Sequence, residues 1–150
     1  MGPSYSVDAA LALRHLGRSP HNLFPIAVLD DGDFLAGCQA LWTAANKKVP
    51  MLVVVMNNRA FGDYSRAQKA IADERSRVTQ NKSGKVLQVE EPLVDVMTIA
   101  EGFGCTGGSR FQVSRRNELE GVLHASAELV RHGKVVVLDV VVKSGDEASD

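Results

Sequence analysis

Apolar positions along the chain follow two rhythms. Short continuous runs, "IAVL" at 26–29, "MLVVVM" at 51–56 and "KVVVLDVVV" at 134–142, read as strands buried on both faces. Between them, apolar residues recur at helical spacing. "VDAALALRHL" follows Ser6, which is placed to cap it, and Gly17 is placed to end it. "FLAGCQALWTAANKK" carries Phe34, Cys38, Leu41, Trp42 and Ala45 on one stripe, and Pro50 separates it from the next strand. "LVDVMTIAEGFG" aligns Val94, Met97, Ala100 and Phe103. "RRNELEGVLHASAELVRH", with Ser114 as its predicted cap, has a face of Leu119, Val122, Leu123, Leu129 and Val130, and Gly133 stops it. "DYSRAQKAIADERSR" predicts a surface helix inside a long polar region, 59–92, and "VTQNKSGKVLQVEEP" reads mostly as loop. "TGGSRFQ" returns toward the sheet.

Fully apolar strands alternating with amphipathic helices predict an α/β domain: three layers, α/β/α, around a mostly parallel sheet. Residues 1–142 form the predicted domain and 143–150 a polar tail. The length of 150 residues supports one domain with a real core. A formal net charge of -1 gives no global basic field, so nucleic acid is not an expected partner. No apolar run reaches the roughly 18 residues of a membrane span. Cys38 and Cys105 match no metal spacing and read as small buried hydrophobes. With no signal-like apolar stretch at the N-terminus, a cytoplasmic protein is the default expectation.

Sheets of this kind bind ligands at the carboxyl ends of their strands. Two predicted strand ends carry the polar chemistry. One exits into Asp30, Asp31, Gly32 and Asp33; the other exits into Asn57 and Asn58. A carboxylate, an amide oxygen and a nearby backbone carbonyl form a hard, all-oxygen donor set that suits Mg²⁺, which keeps places for water and phosphate oxygens. The helix expected to open at Phe34 would aim its N-terminal amides at the same place. Such a cation would offset the repulsion between Asp31 and a diphosphate. "DDGD" is also an ordinary turn and "NN" an ordinary strand exit, so spacing alone leaves both readings open.

The stretch "DDGDFLAGCQALWTAANKKVPMLVVVMNNRAFG" resembles the thiamine diphosphate-binding motif, which opens Gly-Asp-Gly and ends Asn-Asn; Asn58 follows Asp31 by 27 positions. About residues 5–142 are similar to the C-terminal, cofactor-binding domain of acetolactate synthase-like and benzoylformate decarboxylase-like enzymes. The resemblance implies the cofactors thiamine diphosphate and Mg²⁺. It implies Asp31, Asn58 and the carbonyl of Ala60 as metal ligands. It also implies Asp31, Gly32, Asp33, Asn58, Ala60, Phe61 and Gly62 as the cofactor-binding set, with Asn57 bracing the strand end. Asp30 departs from the pattern, standing where the family has its first glycine, and adds negative charge beside an anionic ligand.

Relatives of this kind build the active site between two α/β domains. The activating glutamate lies in a pyrimidine-binding domain that has no counterpart in this chain. The resemblance therefore implies no catalytic residue here. It implies a domain truncated at its N-terminus and a homo- or hetero-oligomer with a pyrimidine-binding domain or subunit. The expected function is the cofactor-binding part of a 2-oxo acid decarboxylase or carboligase, a lyase or transferase. The alternative is a catalytically inactive binding or assembly module. An unpartnered domain should also expose apolar surface.

The remaining candidates read as structural. His15, His21, His124 and His132 are not spaced as metal pairs, and His132 suits a helix C-terminus. Trp42 falls on an apolar stripe and is expected in the core. Phe61 and Tyr64 could line a cleft or simply pack. Arg66, Lys69, Arg75 and Arg77 suit a solvated helix face.

Overall fold

The computed structural model describes residues 2–77 and 87–143. The elements in chain order are α1 (Gly2–His15), β1 (Ile26–Asp30), α2 (Asp31–Gly37), α3 (Ala40–Asn46), β2 (Met51–Asn57), α4 (Gly62–Glu74), α5 (Val96–Gly102), β3 (Gln112–Val113), α6 (Arg116–Arg131) and β4 (Val135–Val141). A 3₁₀ turn, Ser109–Phe111, precedes β3. The strands form one sheet in the order β1-β2-β4-β3, and every ladder is parallel. The expected three-layer α/β/α architecture is the one observed.

Topology decides which helix covers which face. The steps β1 to β2 and β2 to β3 run in one direction across the sheet, and β3 to β4 runs back. Right-handed crossovers therefore put α2, α3 and α5 on one face and α6 on the other. Side chains at paired positions of a parallel ladder share a face. Ala27, Leu29, Val53, Val55, Asn57, Val137 and Asp139 thus lie on the α2 side, whereas Ile26, Val28, Leu52, Val54, Met56 and Leu138 lie on the α6 side. Helix α6 packs on β2, β3 and β4 and leaves β1 uncovered on its side. Ile26 and Val28 are consequently 59% and 65% exposed. The core proper is Phe34, Leu41, Ala44, Met51, Val53, Val55, Val136, Val137 and Leu138, all essentially inaccessible.

Several expectations are corrected. Helix α1 begins at Gly2 rather than at a Ser6 cap, because Gly2 and Pro3 pack directly onto α2 and proline fits a first helical turn. The next helix opens at Asp31 rather than Phe34 and is not continuous. It tightens at Cys38–Gln39, where Leu41 and Trp42 donate to carbonyls three residues back. In α3 it is Leu41 and Ala44 that point inward, leaving Trp42 56% exposed rather than in the core. Ser114 does not cap α6; the N-cap is Arg115, with no side-chain hydrogen bond. Asp95, by contrast, caps α5 through Thr98 N–H. Cys105 is buried and Cys38 half-buried. Helix α4 buries none of its residues, as expected of a surface helix, and Arg66, Lys69, Arg75 and Arg77 are exposed. Residues 78–86 of the expected loop and 144–150 of the expected tail lie outside the described residues. No helix among those described is long and apolar enough to cross a membrane.

Candidate functional site at the strand carboxyl ends

Strands β1 and β2 are hydrogen-bonded neighbours, so their carboxyl ends deliver Asp31 and the Asn57-Asn58 pair to one place. Asp30 ends β1 with ordinary extended angles, φ −81 and ψ 170, so no glycine-only conformation is needed at the departure from the motif. Its carboxylate caps α2 by accepting the Asp33 N–H. The chain then turns into α2, and Asp31 goes under: it is 2% exposed.

The Asp31 carboxylate makes two unlike contacts. Oδ1 accepts the N–H of Gly32 at 2.9 Å, and Oδ2 accepts the N–H of Ala60 at 3.1 Å, across 29 residues of chain. The same Ala60 N–H also points at Asn58 Oδ1, 3.0 Å away. One N–H shared this way puts the two side-chain oxygens within about 6 Å of each other. Burial pushes the Asp31 carboxyl above its ordinary value and the neighbouring Asp30 charge pushes the same way, while the backbone N–H groups of Gly32, Arg59 and Ala60 pull it down. A nearby cation would reverse the burial penalty. The side-chain oxygens brought together are one carboxylate and one amide, hard donors that suit a divalent cation keeping several waters. Among the described residues no group of three or more His, Cys, Asp or Glu side chains is placed to hold a metal.

The segment after β2 is bent to make this possible. Asn57 Oδ1 accepts the Arg59 N–H at 3.1 Å, and Arg59 sits at φ 58, the left-handed region that a side chain enters at a cost of about 1–2 kcal/mol. The bend swings Ala60 N–H back to Asp31. Residues 59–61 are then tied to 87–89 by a short antiparallel bridge, Phe61 N–H to Leu87 O and Val89 N–H to Arg59 O. Phe61 lies against Gly32 so closely that a Cβ there would stand 2.3 Å from the ring. Phe61 also meets Tyr64 edge-on at 6.2 Å. At Gly62 a Cβ would stand 3.2 Å from the Asn58 amide nitrogen.

Asp31, Gly32, Asn58, Ala60, Phe61 and Gly62 are therefore brought together. Asp33, half-buried, belongs to the same turn. One expectation is altered: the amides of Gly32 and Asp33, expected to face a diphosphate, already donate to the carboxylates of Asp31 and Asp30. Sequence reasoning missed Arg59 as the left-handed hinge, since nothing in "NNRAFG" marks that φ. It also missed Asp139, a charge inside "VVVLDVVV", where its placement in an apolar run was a usable signal.

Comparison with known proteins bears on the family and the fold. A family model described as "Thiamine pyrophosphate enzyme, C-terminal TPP binding domain" matches residues 2–140. Over 121 residues the chain is 31% identical to the acetolactate synthase isozyme 3 large subunit of Escherichia coli (strain K12), covering 81% of this chain and 19% of that protein. It is 26% identical over 121 residues to the acetolactate synthase large subunit of Buchnera aphidicola subsp. Schlechtendalia chinensis, with the same coverage of 81% and 19%. The chain thus spans about one fifth of the length of these relatives. In fold it is similar to benzoylformate decarboxylase from Polynucleobacter necessarius, with a TM-score of 0.68 and 19% identity over 93% of this chain and 23% of that one. It is also similar to the thiamine diphosphate-dependent 4-hydroxybenzoylformate decarboxylase of Rhodococcus jostii RHA1, with a TM-score of 0.64 and 22% identity over 92% and 22%.

Proposed function

The chain belongs to the family of thiamine pyrophosphate enzyme C-terminal, TPP-binding domains, and from that premise we propose that it anchors thiamine diphosphate through Mg²⁺ held by Asp31, Asn58 and the backbone carbonyl of Ala60. It serves a 2-oxo acid decarboxylase or carboligase whose pyrimidine-binding domain comes from elsewhere in the assembly. The observation that carries this reading is the single Ala60 N–H that reaches both Asp31 and Asn58. It joins two strand ends at a buried carboxylate.

Each residue has a part. Asp31, ionised, supplies the charge that holds the cation; its burial makes that charge costly without a metal and effective with one. Asn58 supplies a neutral oxygen, and Ala60 a carbonyl. Asn57 holds Arg59 in the hinge and leaves Asn58 free to face the site. Phe61 shields the Gly32 backbone from water. The bound cofactor would supply the carbanion-stabilising chemistry, and this chain fixes its diphosphate end. Exposed Ile26 and Val28 support a partner domain on that side of the sheet.

Titration calorimetry tests the reading. Thiamine diphosphate with Mg²⁺ should release or absorb heat with the unmodified chain and not with Asp31→Ala, and ATP should not compete. Activity with a 2-oxo acid should appear only after a pyrimidine-binding domain is added. A second reading, an inactive assembly module, is favoured by two observations: Asp30 adds charge beside Asp31, and the Gly32 and Asp33 amides are already engaged. No heat at millimolar ligand would select it.

A further inference from the structure

Asp139 is the most deeply buried carboxylate among the described residues, 1% exposed, and the site as described does not use it. Its Oδ2 accepts an N–H from the Gln112 side chain on β3 at 2.9 Å, while its Oδ1 is buried without a hydrogen-bond partner. An unpaired buried oxygen of this kind is costly and calls for a donor.

The register says where that donor lies. Gln112 is the β3 partner of Asp139, so Oδ2 is drawn toward β3 and Oδ1 is turned from it, toward β2. On the face that Asp139 shares, β1 and β2 present Ala27, Leu29, Met51, Val53, Val55 and Asn57. Only Asn57 among these carries a hydrogen-bond donor. Asn57 pairs with Val141 and stands diagonally from Asp139, two positions further along, a Cα separation of about 7–8 Å. Its Oδ1 is committed to Arg59 N–H, which fixes the amide's orientation and directs its NH₂ away from Arg59.

We propose that Asp139 is a positioning residue for the candidate site. Oδ1 takes a side-chain N–H of Asn57 across one internal water, and so locks Asn57 in the rotamer that holds Arg59 left-handed. The chain of contacts runs from Gln112 at the sheet edge through Asp139 and Asn57 to Arg59, and thence to the Ala60 N–H between Asp31 and Asn58. A diagonal of this length is the span that a two-sided water bridge covers. The coupling to Arg59 stands independently of what binds; its consequence for the cofactor rests on the function proposed above.

Hydrogen exchange at assigned amides, with calorimetry alongside, tests this. Asp139→Leu removes the acceptor while filling the space. It should speed exchange of the Arg59 and Ala60 amides about tenfold and weaken binding of thiamine diphosphate with Mg²⁺ about tenfold. Asp139→Asn should stay within about threefold on both measures, because its amide can donate to a flipped Gln112 while its oxygen still faces Asn57. Exchange at Arg59 and Ala60 unchanged by Asp139→Leu would overturn the proposal. Should Asp139→Leu fail to fold, the unmodified chain decides: slow solvent exchange of the Asn57 side-chain NH₂ supports the contact, and exchange as fast as in an exposed asparagine overturns it. If the unmodified chain binds no cofactor, the proposed function fails while the exchange results still stand for or against Asp139.

Discussion

The two ends of the parallel sheet carry opposite charge, and only one of them has the build of a site. At the carboxyl ends of the strands lie Asp30, Asp31 and Asp33; at the amino ends lie Lys47, Lys48, His132 and Lys134. Both patterns follow from helices running antiparallel to the strands, since acids suit helix N-termini and cations suit C-termini. The basic end even has an opening of its own, a bowl of about 520 Å³ lined by Lys48, Gly104, Thr106, His132 and Lys134 among others. Its helix-end amides, however, are satisfied locally. Lys48 N–H returns to Ala45, Gly133 N–H to Val130 and Lys134 N–H to Leu129, while His132 Nδ1 lies 2.7 Å from Glu128 O. The long-range contacts there finish backbone ends: Arg14 caps the Lys47 carbonyl, and Thr106 N–H donates to Val135 O beside β4. Left-handed Lys48, Gly104 and Gly133 complete ordinary C-terminal caps. At the acidic end the bonds cross the chain and the carboxylate is buried. Convergence of distant polar groups under burial, rather than charge or cavity size, separates a site from a set of caps.

The sharpest way to break that contrast is to remove charge at each end. Asp31→Asn should lose at least about 100-fold in affinity for thiamine diphosphate with Mg²⁺, whereas Lys48→Ala and Lys134→Ala should change it less than about threefold by calorimetry. Equal losses at both ends would erase the distinction. Next come the glycines. Gly32→Ala forces the Phe61 ring aside and should cost about 1–3 kcal/mol in denaturant unfolding, together with weaker cofactor binding. Gly133→Ala, at φ +85 with open space around it, should cost about 1 kcal/mol and leave binding alone.

A smaller effect is expected at a cap remote from Asp31. Asp95→Ala should cost about 1 kcal/mol. The Thr98 N–H, and then the Thr98 hydroxyl, hold the Asp95 carboxyl below its ordinary value. Its contribution is therefore complete above the ordinary carboxylate range and is lost as pH falls through the lowered folded-state value. Acid unfolding of Asp95→Ala should accordingly lack that part of the acid limb. The smallest effect concerns reagents. Burial pushes the Cys105 thiol up to about 11, so a thiol reagent at neutral pH should label half-buried Cys38 first and Cys105 only on unfolding.

Most of the architecture was legible because apolar runs and helical stripes differ in period. The strands at 26–30, 51–57 and 135–141 and the face of α6 follow from that alone. Trp42 misled because a single stripe was drawn through a helix that tightens at Cys38–Gln39 and changes phase. Ser114 misled because a capping residue type one position early caps nothing. Asp31 and Asn58 stood out through their spacing and motif. The engagement of Gly32 and Asp33 amides did not, since it depends on where two carboxylates turn once the chain is folded.

By itself the sequence determined which segments are buried strands, which are amphipathic helices, and that acids and asparagines end two of the strands. Those are local matters of period and residue type. Tertiary structure alone decided that the two strand ends are neighbours and that one Ala60 N–H serves both side chains. It also decided that Ile26 and Val28 stay open to solvent and that an oxygen of Asp139 is buried without a donor in contact. Each depends on strand order, register and helix coverage, which are set by distant parts of the chain packing together and leave no mark on any single stretch of it.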